Sequence, residues 1–208
     1  MRLAHTPLLA LALVSLAAPP ARAQSPVKLN EFVAGPARDW DGSGAISTRD
    51  DEWIEIVNTS GSPVDLAGYL LTDGDKLPRF AYAGSLAGNG MRVVYGKESV
   101  DWERASGNPV FGLSLANTGD SVMLWHVTGP DTVLVDSYTY VSHEAASDRA
   151  VGRIPDGGAW ALEDGLNPYT GSAPPTGTGC APSPGAPNLC GVTPTQAASW
   201  GRVKTLYR

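Results

Sequence analysis

The sequence predicts an all-β sandwich, on three observations. Gly 24 and Pro 17 together make up a fifth of the 208 residues, a density of turn-formers that favours many short strands over long helices. Apolar residues recur in short runs of period two, separated by turn residues. No window holds the i, i+3, i+4, i+7 spacing of a long amphipathic helix. With 42% hydrophobic and 17% charged residues, the chain has enough apolar material for one packed core and too little charge for a solvated disordered segment. The formal charge of -6 argues against general affinity for nucleic acid or an anionic membrane, both of which need a basic face. It points to cations as partners instead.

Eight strands are expected in order: Lys28–Val33, Glu52–Asn58, Gly68–Thr72, Arg79–Ala83, Met91–Tyr95, Ser121–Val127, Val133–Tyr140 and Arg149–Arg153. In the second, Ile54 and Ile56 face one way while Trp53, Glu55 and Val57 face the other, giving one core face. In Ser121–Val127 both faces are largely apolar, which marks a central strand. The turn Thr128-Gly129-Pro130-Asp131 joins it to the next run as a hairpin.

Residues 1–23 read as a signal peptide. Arg2 is followed by the apolar run Leu8 to Ala18 and the small-residue site Ala21-Arg22-Ala23, with cleavage expected before Gln24. The run is well short of the roughly 20 residues that span a bilayer, so no transmembrane anchor is expected. Cleavage would remove Arg2 and Arg22, leaving 13 basic against 21 acidic residues and a net charge of -8. The mature chain is expected to be secreted, whether extracellular, at the cell surface or periplasmic. It divides into a sandwich at 24–162, a Pro/Gly-rich closing segment at 163–194 and a basic, aromatic tail at 195–208. Cys180 and Cys190 fall in the closing segment, where a disulfide is the natural pairing in an oxidising compartment. Its loop closure would contribute about 2.5–3 kcal/mol on the chain-entropy model. A metal or redox pair is the weaker reading, because the spacing is not C-x-x-C and no histidine is near.

The sharpest local signal is Asp39-Trp40-Asp41-Gly42-Ser43-Gly44-Ala45-Ile46-Ser47-Thr48-Arg49-Asp50. As a calcium loop it offers Asp39, Asp41 and Ser43 at positions 1, 3 and 5. Gly44 falls at the bend, the Ala45 carbonyl at 7, Ser47 at 9 and Asp50 at 12. Hard oxygens at alternating positions are what Ca²⁺ requires. Against that, Ser43 stands where Asp or Asn is usual, Asp50 has a shorter arm than Glu, and the flanks read as strands. A plain Asp/Gly-rich loop is the equal alternative.

Other chemistry is thin. The mature chain has two histidines, His126 and His143, too few for a zinc site and outside any H-E-x-x-H, and there is no G-x-S-x-G. Asp73 and Asp75 form a carboxylate pair of the kind glycoside hydrolysis uses, but chance supplies such a pair among 21 acidic residues. Trp40, Trp102 and Trp160 fall in expected loops, where exposed rings would suit a glycan. Asn58-Thr59-Ser60 matches the N-x-S glycosylation acceptor. The tail Ser199 to Arg208, with three positive charges beside Trp200, Leu206 and Tyr207, reads as a frayed end, a sorting segment or a weak membrane contact.

The order of several pieces resembles the bacterial exported form of the lamin tail domain. These are Leu29-Asn30-Glu31-Phe32, Asp51-Glu52-Trp53-Ile54-Glu55-Ile56-Val57-Asn58, Pro63-Val64-Asp65-Leu66-Ala67-Gly68-Tyr69-Leu70-Leu71-Thr72-Asp73-Gly74, Leu86-Ala87-Gly88-Asn89-Gly90, Leu113-Ser114-Leu115-Ala116-Asn117-Thr118-Gly119-Asp120, Val135-Asp136-Ser137, Gly152-Arg153-Ile154-Pro155-Asp156-Gly157 and Pro184-Gly185-Ala186-Pro187-Asn188. The resemblance implies an immunoglobulin-like β-sandwich with an irregular C-terminal tail, acting as a non-catalytic binding or structural module with a protein or glycan partner. Alternatives are a carbohydrate-binding module and an accessory subunit of an extracellular nuclease or hydrolase.

Overall fold

The computed structural model describes residues 25–190. The signal-peptide reading at 1–23 and the tail reading at 195–208 lie outside the described residues. The strands are β1 Val27–Val33, β2 Trp53–Asn58, β3 Val64–Asp65, β4 Tyr69–Thr72, β5 Pro78–Ala81, β6 Ser85–Leu86, β7 Met91–Tyr95, β8 Gly119–Thr128, β9 Asp131–Val141, β10 Ala150–Ile154 and β11 Ala159–Glu163. One helix, α1 Gly96–Ser106, follows β7. All eight expected runs are strands, and the fold class is as the sequence predicts. A five-stranded antiparallel sheet, β11-β10-β1-β2-β7, faces a four-stranded one, β5-β4-β8-β9, with the short pair β3-β6 beside them.

The core fills the space between the sheets. Leu29, Phe32, Ile54, Ile56, Val94 and Val151 come from the larger sheet, and Tyr69, Leu71, Val122, Leu124 and Tyr140 from the smaller. β2 differs from its one-faced reading: Trp53, Glu55 and Val57 on its second face are as buried as Ile54 and Ile56. Part of that outer face carries a small second core of Val33, Trp53 and Ala150, with Trp40 laid against it. Loops and the closing segment cover the rest.

A bulge in β1 decides what that outer face contains. The register pairs Leu29 with Ile56 and then Glu31 with Glu55, so Asn30 is the extra residue. An inserted residue turns two consecutive side chains off strict alternation. Leu29 and Phe32 both enter the inner core, while Asn30 donates to Glu55 Oε1 at 2.7 Å and Glu31 pairs across the strand with Glu55.

α1 is a helix that sequence periodicity missed. Its buried stripe is Gly96, Ser99, Val100 and Glu103, a helical spacing in which only Val100 is apolar. Polar contacts hold it: the Tyr95 amide donates to Glu98 at its start, Ser99 Oγ donates to the Arg79 carbonyl at 2.7 Å, and Gly107 closes it at φ 71°. Glu103 Oε2 accepts both the Phe111 and Gly112 amides at 2.8 Å, which fixes the loop after the helix.

Asn58 is fully buried, and its Nδ2 donates to the Ser62, Leu86 and Ala87 carbonyls. The N-x-S match is therefore a loop clamp with no free amide for a glycan. Leu124, also fully buried between the sheets, is a direct probe of the sandwich. Leu124→Ala should cost about 2–5 kcal/mol, read as a lower urea midpoint with an unchanged slope.

Candidate functional site

The loop from Ala34 to Glu52 joins β1 to β2, and its carboxylates organise it. Asp39, Asp41 and Asp51 each offer an oxygen, and the three lie within 4.8 Å of one another. Asp39 accepts the Ser43 amide at 3.0 Å and the Gly44 amide at 2.8 Å. Asp41 also accepts the Ser43 amide, at 2.9 Å. Ser43 Oγ donates to the Ala45 carbonyl at 3.2 Å on the exposed side of the loop. Beneath them Asp51, fully buried, accepts the Trp40 and Asp41 amides on Oδ1 and the Ser47 amide on Oδ2, at 2.7, 3.0 and 2.7 Å. At Asp41 desolvation is the largest single contribution and pushes the pKa up, but the hydrogen bonds from Ser43 and with Asp39 and Asp51 together outweigh it and hold its carboxyl below the usual range.

Of the six residues picked from the sequence, Asp39 and Asp41 converge, and Ser43 and Ala45 lie in the same turn. Asp50 does not join them. It pairs with Arg49 at 2.7 Å, and that hydrogen bond is the main cause of its lowered pKa. The third converging carboxylate is Asp51, one residue on. A turn closed by the Asp51 amide on the Ser47 carbonyl, at 3.0 Å, points Asp50 outward and Asp51 inward. A twelve-residue loop template assumes a helix after the last ligand. Here a strand follows, and the inward-facing carboxylate falls one residue later, at Asp51.

The remaining candidates are absorbed into packing. Asp73 and Asp75 both pair with Arg79, at 2.7 and 2.8 Å. His126 stacks on Tyr69 and His143 on Tyr169. Trp40 packs edge-on to Trp53 and donates to Asp148 at 2.9 Å. Trp102 stands on α1 against Phe80. Trp160 stands on β11 beneath the Arg153 guanidinium and beside Tyr138. The last two are therefore on regular elements, not in the loops the sequence suggested, and none of the three is a free platform. Cys180 and Cys190 form a disulfide.

The fold fits one comparison with known proteins. The family model described as Lamin Tail Domain matches residues 20–142, more than half of the chain, and the chain belongs to that family of immunoglobulin-like, non-enzymatic domains. The match ends before β10 and β11, which complete the larger sheet by pairing β10 to β1. A search of curated proteins finds no match.

The two neighbouring aspartates should separate cleanly by mutation. Asp51→Ala strands three buried amides and should cost about 4 kcal/mol or more, since hydrogen bonds to a charged group are each worth about 1.5–3 kcal/mol. Asp50→Ala removes a partly exposed ion pair and should cost under about 1 kcal/mol. Urea unfolding of both variants checks the contrast.

Proposed function

We propose that this chain is an exported, non-catalytic lamin-tail module whose β1–β2 loop binds Ca²⁺ and, so ordered, presents a surface to a partner outside the cytoplasm. The observation that carries the reading is the convergence of Asp39, Asp41 and Asp51 in one loop. All three are hard oxygen ligands of the kind calcium takes. Five of the six carboxylate oxygens accept one or two amides, Asp41 Oδ2 accepts none, and all have further lone-pair capacity, so an ion can enter without dismantling the turn. Asp51 replaces Asp50 in the ligand set, with Ser43 and Ser47 oxygens nearby in sequence and the Ala45 carbonyl on the same turn.

Export is supported by the leader-like pattern at 1–23 and by the Cys180–Cys190 disulfide, which persists in oxidising compartments. No helix among the described residues is long and apolar enough to cross a membrane. The lack of a catalytic role is supported by the family and by the pairing of Asp73, Asp75, His126 and His143 within the structure.

Calorimetric titration of Ca²⁺ with a parallel melting curve tests the loop. Binding is expected near the extracellular range of about 10⁻⁴–10⁻³ M, with a rise in Tm that Asp41→Ala removes. No heat and no Tm shift at several millimolar Ca²⁺ would remove the ion from the account.

A further inference from the structure

The strand register gathers three connections at one end of the sandwich. β1 ends and β2 begins at the pair Val33–Trp53, and β10 begins beside the end of β1 at the pair Phe32–Val151. β8 begins where β9 ends, at the pair Gly119–Val141. The β1–β2 loop, the turn before β8 and the β9–β10 loop meet there with Asn167 of the closing segment. They surround an open pocket of about 400 Å³, and the polar residues that line it are Thr48, Asn117, Ser142, Ser147 and Asn167.

Buried side chains hold the frame of this pocket. Arg149 donates to the His143, Asn167 and Pro168 carbonyls at 2.7, 2.6 and 2.9 Å, which fastens the β9–β10 loop to the closing segment. The Asp148 amide donates to the Gly35 carbonyl at 2.8 Å, and Asp148 Oδ1 accepts the Ala37 amide at 2.9 Å, which fastens the same loop to the β1–β2 loop. The two run so close that a Cβ on Gly35 would lie 2.2 Å from the Ala145 carbonyl oxygen. Thr48, Asn117, Ser142 and Ser147 take no part in this frame. They are exposed, and among the described residues their side chains make no hydrogen bond to the chain, the Ser147 carbonyl alone accepting from Asn167 Nδ2.

The chemistry of the lining rules out most classes of ligand. None of its residues is charged or aromatic. An anion finds no cation there, a metal ion finds no carboxylate, and a protein partner finds neither the aromatic nor the arginine anchor of an interface core. An extended peptide needs a free strand edge, and at the end of β9 that edge is taken: Glu144 Oε2 accepts the Val141 amide and the Glu144 amide donates to the Val141 carbonyl. A small neutral molecule rich in hydroxyl groups does fit. Hydroxyl and amide side chains both donate and accept, as sugar hydroxyls do. Pro36, Ala145 and Ala146 offer an apolar surface to the C–H face of a pyranose ring. The volume lies in the range of roughly 300–1,000 Å³ usual for small-ligand sites.

We propose that this end of the sandwich is a binding pocket for the terminal units of an uncharged glycan, with Asn117 and Ser142 among the side chains that bond its hydroxyls. A concave pocket between loops takes a chain end, whereas the side of a chain needs an aromatic platform, which Trp40, Trp102 and Trp160 do not supply. The assignment gives the partner of the proposed function a chemical class, and it rests on that reading only for a partner's presence outside the cytoplasm. Thr48 belongs to the β1–β2 loop, but the frame around Arg149 and Asp148 is complete without an ion.

Neutral disaccharides of glucose, galactose and mannose, and a glucuronate-containing disaccharide, are titrated into the ¹⁵N-labelled oxidised chain, once with Ca²⁺ and once with a chelator. At least one neutral disaccharide should shift the Gly35, Thr48, Ser142 and Ser147 amides saturably in both conditions, with the glucuronate sugar weaker. Asn117→Ala and Ser142→Ala should each weaken binding about three- to tenfold, the worth of one neutral hydrogen bond, with the urea midpoint unchanged. Absence of shifts at those amides with every neutral disaccharide overturns the proposal, as does undiminished binding in both variants or tighter binding of the glucuronate sugar. Sugar binding in a chain that takes up no Ca²⁺ supports the pocket while the ion reading fails. Calcium uptake without sugar binding overturns the pocket and spares the ion.

Discussion

Buried carboxylates that accept backbone amides from loops are the interaction on which the rest of this structure depends. Short strands need long connections, and in a domain of this size those connections must also cover sheet faces. Covering a face buries backbone N–H groups that no ladder satisfies. Here an acidic side chain supplies the acceptor in each place. Asp51 fixes the β1–β2 loop, Glu103 the loop after α1, and Glu52 accepts the Leu115 amide. Asp164 accepts the Tyr169 and Gly179 amides at 2.7 Å each, and Glu55 and Glu31 hold Gly185 and Ser183. The acidic excess of the sequence is therefore partly internal, where it orders loops, and is not simply a coat of surface charge.

The arrangement has a cost that shapes the chemistry. Burial pushes Glu52 up to about 8, against the hydrogen bond from Leu115 that favours its charged form, and raises Glu55 in the same way. A carboxylate with two or three amides tolerates its site. Where acidic side chains meet at a loop, as at Asp39, Asp41 and Asp51, the same logic underlies the proposed cation site. Structural anchoring and the proposed ion binding thus share one physical origin, and the lamin tail sandwich supplies the rigid frame for both.

The strands were legible because β-branched and aromatic residues alternate between turns, and burial follows that alternation on the inner faces. The β8–β9 hairpin was legible from Gly129-Pro130 between two long apolar runs. α1 was not, since its buried stripe is Gly96, Ser99 and Glu103 around a single valine, and a hydrophobic period cannot register serine or glutamate. The short strands β3 and β6 and the final strand β11 were also missed. The first two are two residues long, and β11 sits where the apolar pattern fades into a Pro/Gly-rich segment. The outer face of β2 was misjudged for a related reason: Glu55 reads as solvent-facing until the Gly185 amide is found on it.

In the β1–β2 loop the sequence picked out Asp39 and Asp41, which converge, and Asp50, where the structure turns Asp51 inward instead. Asp50 and Asp51 are indistinguishable by spacing alone, and only the turn on Ser47 decides which one faces inward. The neutral pocket was invisible, because Thr48, Asn117, Ser142 and Asn167 are far apart in the numbering and meet only where the register brings the ends of β1, β8 and β9 together.

The most direct test of the central claim is amide hydrogen exchange at the loop positions that donate to buried carboxylates: Trp40, Ser47, Phe111, Gly112, Tyr169, Gly179 and Gly185. The account predicts protection comparable to strand amides of β2 and β8, since each N–H is held by a charged acceptor inside the fold. Exchange at the rate of free loop amides, with the strands still protected, would contradict it.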